Sequence, residues 1–129
     1  MSISIKSQND IEMMKIAGKK AASVLEMLDH YVKPGVSTEY LDQIAFKYIT
    51  EDLKCIPANV GYNGFPKTLC TSVNNVICHG IPSEDKVLKD GDIVNINKTI
   101  LGKSTGVLQE LALPLLAIDS ILDVFQNDN

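Results

Sequence analysis

The chain has 129 residues, enough for one domain with a packed core and too few for two. Its 12 Lys+Arg against 16 Asp+Glu leave a formal net charge of −4, so no basic face is on offer to a phosphate backbone and nucleic acid is excluded as a partner. Every cation is a lysine, which removes the bidentate forks by which arginine holds phosphate and carboxylate groups. Cys55, Cys70 and Cys78 follow no paired metal spacing, and an odd number suits a disulfide framework poorly. They read as reduced thiols of a cytoplasmic protein. The opening Met1-Ser2-Ile3-Ser4-Ile5-Lys6 has no charged, apolar and small-residue succession of a secretory leader.

The first predicted element is a long amphipathic helix. Ser7 to Asp10 supply cap candidates, and Ile11, Met14, Ala17, Ala21, Val24, Leu25 and Leu28 recur at three-and-four spacing along one face. Lys33-Pro34-Gly35 closes it with a turn. Ser37 or Thr38 then caps a second helix, with Leu41, Ile44, Ala45, Tyr48 and Ile49 on its apolar side. Beyond it the pattern changes to turns and short strands. Tyr62-Asn63-Gly64-Phe65-Pro66 reads as a turn, Thr71-Ser72-Val73 and Val76-Ile77-Cys78 as strands around Asn74-Asn75, and Lys89-Asp90-Gly91-Asp92 as a turn into the strand Ile93-Val94-Asn95-Ile96. Two helices followed by antiparallel strands predict an α+β domain.

The tail is different. From Val107 to Phe125 it is rich in Leu, Ile and Val, but Glu110, Asp119 and Asp123 interrupt it. Its longest uncharged apolar stretch, Leu111 to Ile118, is too short to span a membrane. Leu115, Ile118, Ile121, Leu122 and Phe125 suit a helix after Pro114. The expected division is therefore 1–100 as the principal unit and 101–129 as a divergent tail, helical from about 107.

A series of blocks in order resembles the amino-terminal half of the type I methionine aminopeptidases. They are Asn9-Asp10-Ile11-Glu12-Met13-Met14, Val32-Lys33-Pro34-Gly35-Val36-Ser37-Thr38, Gly61 to Lys67, Ser72 to Pro82, and Leu88 to Ile96. After about Ile100 the likeness ends. The resemblance implies a pita-bread fold of two pseudo-symmetric halves, of which this chain would hold the first plus an apolar carboxy-terminal helix. It also implies removal of the initiator methionine from nascent chains, with two divalent ions (Co, Mn, Fe or Zn) between the halves, held by two Asp, one His and two Glu.

Mapped on this sequence, the resemblance places His79 as the residue that hydrogen-bonds the scissile peptide. Tyr62, Phe65 and Cys70 would line the methionine pocket, where two rings and a sulfur suit a thioether. Asn59 departs from the small apolar or thiol residue common there. Asn97 stands where the first Asp ligand belongs, in Val94-Asn95-Ile96-Asn97, and a neutral amide cannot bridge two cations as a carboxylate does. No Gly-Asp pair follows it, so no metal ligand is assigned and no tightly bound cofactor is expected. The expectation is a truncated, catalytically silent relative, by decay of a duplicate or a shifted reading frame. Two alternatives are a binding module for nascent amino termini, a ribosomal surface or the full-length enzyme, and an enzyme active only when a partner chain completes its metal site.

Overall fold

The computed structural model describes residues 5–98, 100–102 and 120–123. Helix α1, Gln8–Asp29, begins at a reciprocal cap: Ser7 accepts from the Asp10 amide at 3.2 Å, and the Asp10 carboxylate accepts from the Ser7 amide at 2.9 Å. Only its second half is buried, through Val24, Leu25 and Leu28, while Ile11, Met13 and Ile16 stay exposed. Helix α2, Thr38–Lys47, has Ser37 as its cap, with the Tyr40 amide donating to the hydroxyl at 3.1 Å. Leu41 and Ala45 pack on α1, and a π-type turn over Tyr48–Asp52 carries Ile49 into the same core.

Among the described residues five strands follow, in two small antiparallel sheets. Strands β1, Cys55–Pro57, and β4, Ile100–Gly102, form one pair. Strands β2, Cys70–Val73, β3, Ile93–Asn97, and β5, Ser120–Asp123, form the other in the order β2-β3-β5. The predicted α+β class is observed. On the β2–β3 ladder Thr71 faces Ile96 and Val73 faces Val94. Alternation sends Val73, Val94 and Ile96 into a core shared with Leu28, Leu41, Leu69 and Leu88. The other face carries Cys70 opposite Asn97 and Ser72 opposite Asn95.

One expectation changes. Val76-Ile77-Cys78 is not a strand but an exposed loop, with Ile77 93% accessible. Asn74 explains why: it turns the chain at φ +53, donates from Nδ2 to Asp92 at 2.7 Å, and accepts the Ile93 amide at 3.1 Å. These bonds tie the end of β2 to the start of β3, so the partner of β2 comes from twenty residues farther on. Of the helix expected from about 107, residues 107–119 and 124–129 lie outside the described residues. The four that are described pair as a strand, Ile93 with Asp123 through Ile96 with Ser120. Their backbone satisfies the edge that β3 would otherwise leave open.

The Lys89 to Asp92 turn forms as expected, with the Asp92 amide donating to the Lys89 carbonyl at 3.1 Å and Gly91 at φ +82. Before it, the segment from Ser83 to Leu88 docks on the start of α2. Thr38 Oγ1 donates to the Ser83 carbonyl at 3.1 Å and accepts its amide at 3.0 Å, and Leu88 closes onto Val36 at 2.8 Å. Among the described residues no helix is long and apolar enough to cross a membrane.

Candidate active site

The face of the β2–β3 ladder away from the core holds Cys70 and Asn97, two of the residues singled out by sequence, while Tyr62, Phe65 and His79 lie in a turn and a loop outside the ladder. Cys70, at the start of β2, is buried, and Asn97, at the end of β3, is half-buried directly across the ladder from it. Burial raises the Cys70 thiol above its usual pKa, with smaller contributions from Cys78 and Asp42 nearby. Tyr62 lies in a tight turn, Tyr62–Gly64, and is 67% accessible; Phe65 follows it, half-buried. His79 is exposed on the loop after β2 and holds a left-handed backbone at φ +54, which a residue with a Cβ adopts at some cost.

That turn at His79 lowers Gly80 onto β2. The Thr71 amide donates to the Gly80 carbonyl at 2.7 Å, and the Gly80 amide donates to Ser72 Oγ at 3.2 Å. The loop thus lies along the free edge of β2, a strand whose four residues are all buried. The structure therefore brings Cys70 and Asn97 together across the ladder, with the His79 loop beside them along the edge of β2.

Three contacts missed by sequence reading hold the aromatic turn and Cys70 in place. Asn59 donates from Nδ2 to the Thr68 carbonyl at 2.9 Å, bracing the loop that carries Tyr62 and Phe65 against the approach to Cys70. Glu39, on α2, holds Lys67 Nζ at 2.6 and 2.7 Å. One turn further, the buried Asp42 carboxylate accepts the Leu69 amide at 2.7 Å and a backbone bond from Thr68. Burial outweighs these bonds and raises the Asp42 pKa. The available signal was an acid wedged between Leu41 and Ala45 on the apolar side of a helix.

Replacing Asp42 by alanine leaves the Leu69 amide without an acceptor, so a loss of about 1–3 kcal/mol is expected. Asp42→Asn, which keeps an acceptor oxygen, should recover most of it. Urea unfolding of the two variants beside the parent checks this, and equal midpoints for Asp42→Ala and the parent would remove Asp42 from this role.

The donors on this face are a thiol, a hydroxyl and two amides, from Cys70, Ser72, Asn95 and Asn97. Among the described residues no three His, Cys, Asp or Glu side chains gather where they would hold a metal ion. Two divalent cations in one small volume need carboxylate charge around them. These residues do not fit such a pair.

Comparison with known proteins gives the site its ancestry. The chain is 55% identical over 101 residues to the methionine aminopeptidase of Escherichia coli K12, covering 78% of this chain and 38% of that protein. It is 49% identical over 104 residues to that of Buchnera aphidicola subsp. Schizaphis graminum, covering 81% and 40%. The crystal structure of methionine aminopeptidase from Rickettsia prowazekii superposes with a TM-score of 0.74 at 47% identity, over 77% of this chain and 39% of that one. The Thermotoga maritima enzyme gives the same TM-score at 34% identity. The chain thus spans about two fifths of the length of these relatives. The family model of the M24 metallopeptidases, a metal-dependent family, matches residues 12–103. The chain belongs to metallopeptidase family M24, as a homologue of the methionine aminopeptidases.

Proposed function

We propose that this chain, a methionine aminopeptidase homologue spanning about two fifths of its relatives' length, keeps substrate-facing residues of the family site and does not hydrolyse peptides by itself. The observation that carries the reading is Asn97. It stands directly across the ladder from Cys70, on a face whose other donors are neutral, and the resemblance to the family would put an acidic ligand in its place. The family's hydrolysis needs a metal-activated nucleophile, and neither amides nor a thiol of raised pKa supply the charge to assemble one. Tyr62, Phe65 and Cys70 keep the soft, polarizable character that suits a thioether, and His79 keeps an accessible imidazole for a peptide carbonyl. The three free thiols fit a cytoplasmic location.

The test is hydrolysis of a Met-Gly tripeptide by the purified chain with Mn²⁺ or Co²⁺, beside a His79→Ala control that reveals any co-purifying host aminopeptidase. No turnover above the control is expected. Turnover that disappears in His79→Ala would mean that ligands beyond those described complete a metal site, and the reading of Asn97 would be wrong.

A second reading is favoured by the exposed apolar side chains of Tyr62, in its turn, and of Ile77 and Ile81, in the loop after β2. A binding module for peptide amino termini, for a ribosomal surface or for a full-length aminopeptidase would use such a rim. Co-elution with a full-length relative in size exclusion would support it, and a monomer that captures neither that relative nor a methionyl peptide would remove it.

A further inference from the structure

Asn63 and Gly64 are an Asn-Gly pair at the tip of the turn between Tyr62 and Phe65. Both are exposed, as are Gly61 and Tyr62 before them. Asn63 stands at φ 48 and ψ 34, a left-handed backbone that a residue with a Cβ adopts at some cost. Its side-chain amide is held by none of the described residues. The Gly64 amide donates to the Gly61 carbonyl at 3.3 Å, the longest of the backbone bonds across this turn. Gly64 also has no Cβ to keep an incoming carbon away from its nitrogen.

The other asparagines provide the comparison. Asn59 is tied to the Thr68 carbonyl, Asn74 is bonded to Asp92 and to the Ile93 amide, and Asn95 and Asn97 belong to β3. Asn75 shares the exposure of Asn63 and likewise has no described partner for its side chain, but Val76 follows it, with a branched side chain beside the amide that would have to attack.

We propose that Asn63 is a self-modifying site, converted by water alone to isoaspartate through a cyclic imide with Gly64. The Gly64 nitrogen gives up its proton and bonds to Asn63 Cγ. The bond from Cγ to Nδ2 breaks, and the nitrogen leaves as ammonia with that proton. Water then adds to the imide. Cleavage between the Gly64 nitrogen and Cγ yields aspartate, and cleavage between that nitrogen and the Asn63 main-chain carbon yields isoaspartate. One water is consumed for each step of opening, no electrons are transferred, and an amide has become a carboxylate. Ring closure must rotate ψ of Asn63 away from 34, and an exposed turn closed by few bonds opposes that rotation weakly. Isoaspartate lengthens the main chain by a methylene, inside the loops closed by the Gly61 amide on the Phe65 carbonyl at 2.8 Å and by the Phe65 amide on the Tyr62 carbonyl at 2.9 Å. Those bonds give way, and the turn that carries both aromatic rings is reset. A consequence for methionyl peptides rests on the function proposed above, whereas the chemistry at Asn63 does not.

The experiment is incubation of the full chain, folded, in warm and mildly alkaline buffer, sampled over time by ion exchange, by peptide mass and by methyl transfer from a protein isoaspartate methyltransferase. A more acidic form is expected to accumulate, with the peptide that holds residue 63 turned from amide to acid and accepting methyl groups, while Asn75 keeps its amide. In the separated acidic form the Phe65 amide should exchange faster than in the parent. Asn63→Gln, whose longer side chain closes a larger ring far more slowly, should stop the conversion. Equal persistence of the amides at 63 and 75, conversion seen only after the chain is unfolded in urea, or a product that is aspartate without isoaspartate would each overturn the proposal. None of these signals depends on peptide binding or hydrolysis, so they stand or fall apart from the function proposed above.

Discussion

Replacing Gly80 by alanine is expected to destabilise the folded chain by about 3 kcal/mol, the upper end of what overpacking a tight contact costs. A Cβ built at Gly80 overlaps the Thr71 carbonyl oxygen and stands 2.7 Å from the Thr71 carbon and 3.0 Å from Ser72 Cα. All three are backbone atoms of β2, a strand paired along its length with β3, so they have no side-chain freedom with which to yield. The remaining escape is for the loop to lift, and that removes the Thr71 to Gly80 bond and the Gly80 to Ser72 bond together. Losing those two bonds contributes about 1 kcal/mol each. Urea unfolding gives the change in stability, and amide exchange at Thr71 shows whether the loop has left the strand. A Gly80→Ala variant with parent-like stability and an equally protected Thr71 amide would show that the loop does not approach β2 this closely.

The same contact explains which parts of the site were legible in sequence. The blocks around Gly61 to Lys67 and Cys78 to Pro82 identify a family because they are local runs of residues. Helices α1 and α2 are also local: Ser7 and Ser37 cap them, and the spacing of Val24, Leu25, Leu28, Leu41 and Ala45 declares the buried side. What the sequence hid are pairings between distant segments. Val76-Ile77-Cys78 has the residue types of a strand, but the Asn74 side chain bonds to Asp92 and Ile93, and β2 pairs with β3 instead. Strands β1 and β4 are three residues each, too short to show a period, and they exist because each supplies the other's hydrogen bonds. Asp42, Glu39 and Asn59 look like surface residues until the 67–70 segment is laid against them.

Lys98 is the residue whose replacement should stabilise the chain most. It continues the alternation of Val94 and Ile96 one step past β3, and it is only 7% accessible, on a face where an apolar side chain belongs. Among the described residues no carboxylate pairs with it, and burial alone lowers its pKa from 10.5 to about 8. Below about pH 8 the lysine is protonated in both the folded and the unfolded chain, and the folded state bears the full cost of a buried ammonium. Between about 8 and 10.5 the unfolded chain still binds the proton while the folded chain has released it, so the unfolded state carries more protons and stability rises with pH. The whole rise is on the order of 3 kcal/mol. Lys98→Met, similar in length and uncharged, should therefore gain about that much at pH 7 and lose the rise. Urea unfolding of both proteins at pH 7, 8 and 9.5 decides the matter. Curves for the parent and for Lys98→Met that run parallel across that range would mean that Lys98 keeps its charge in contact with water, and that the burial of this face stops at Ile96.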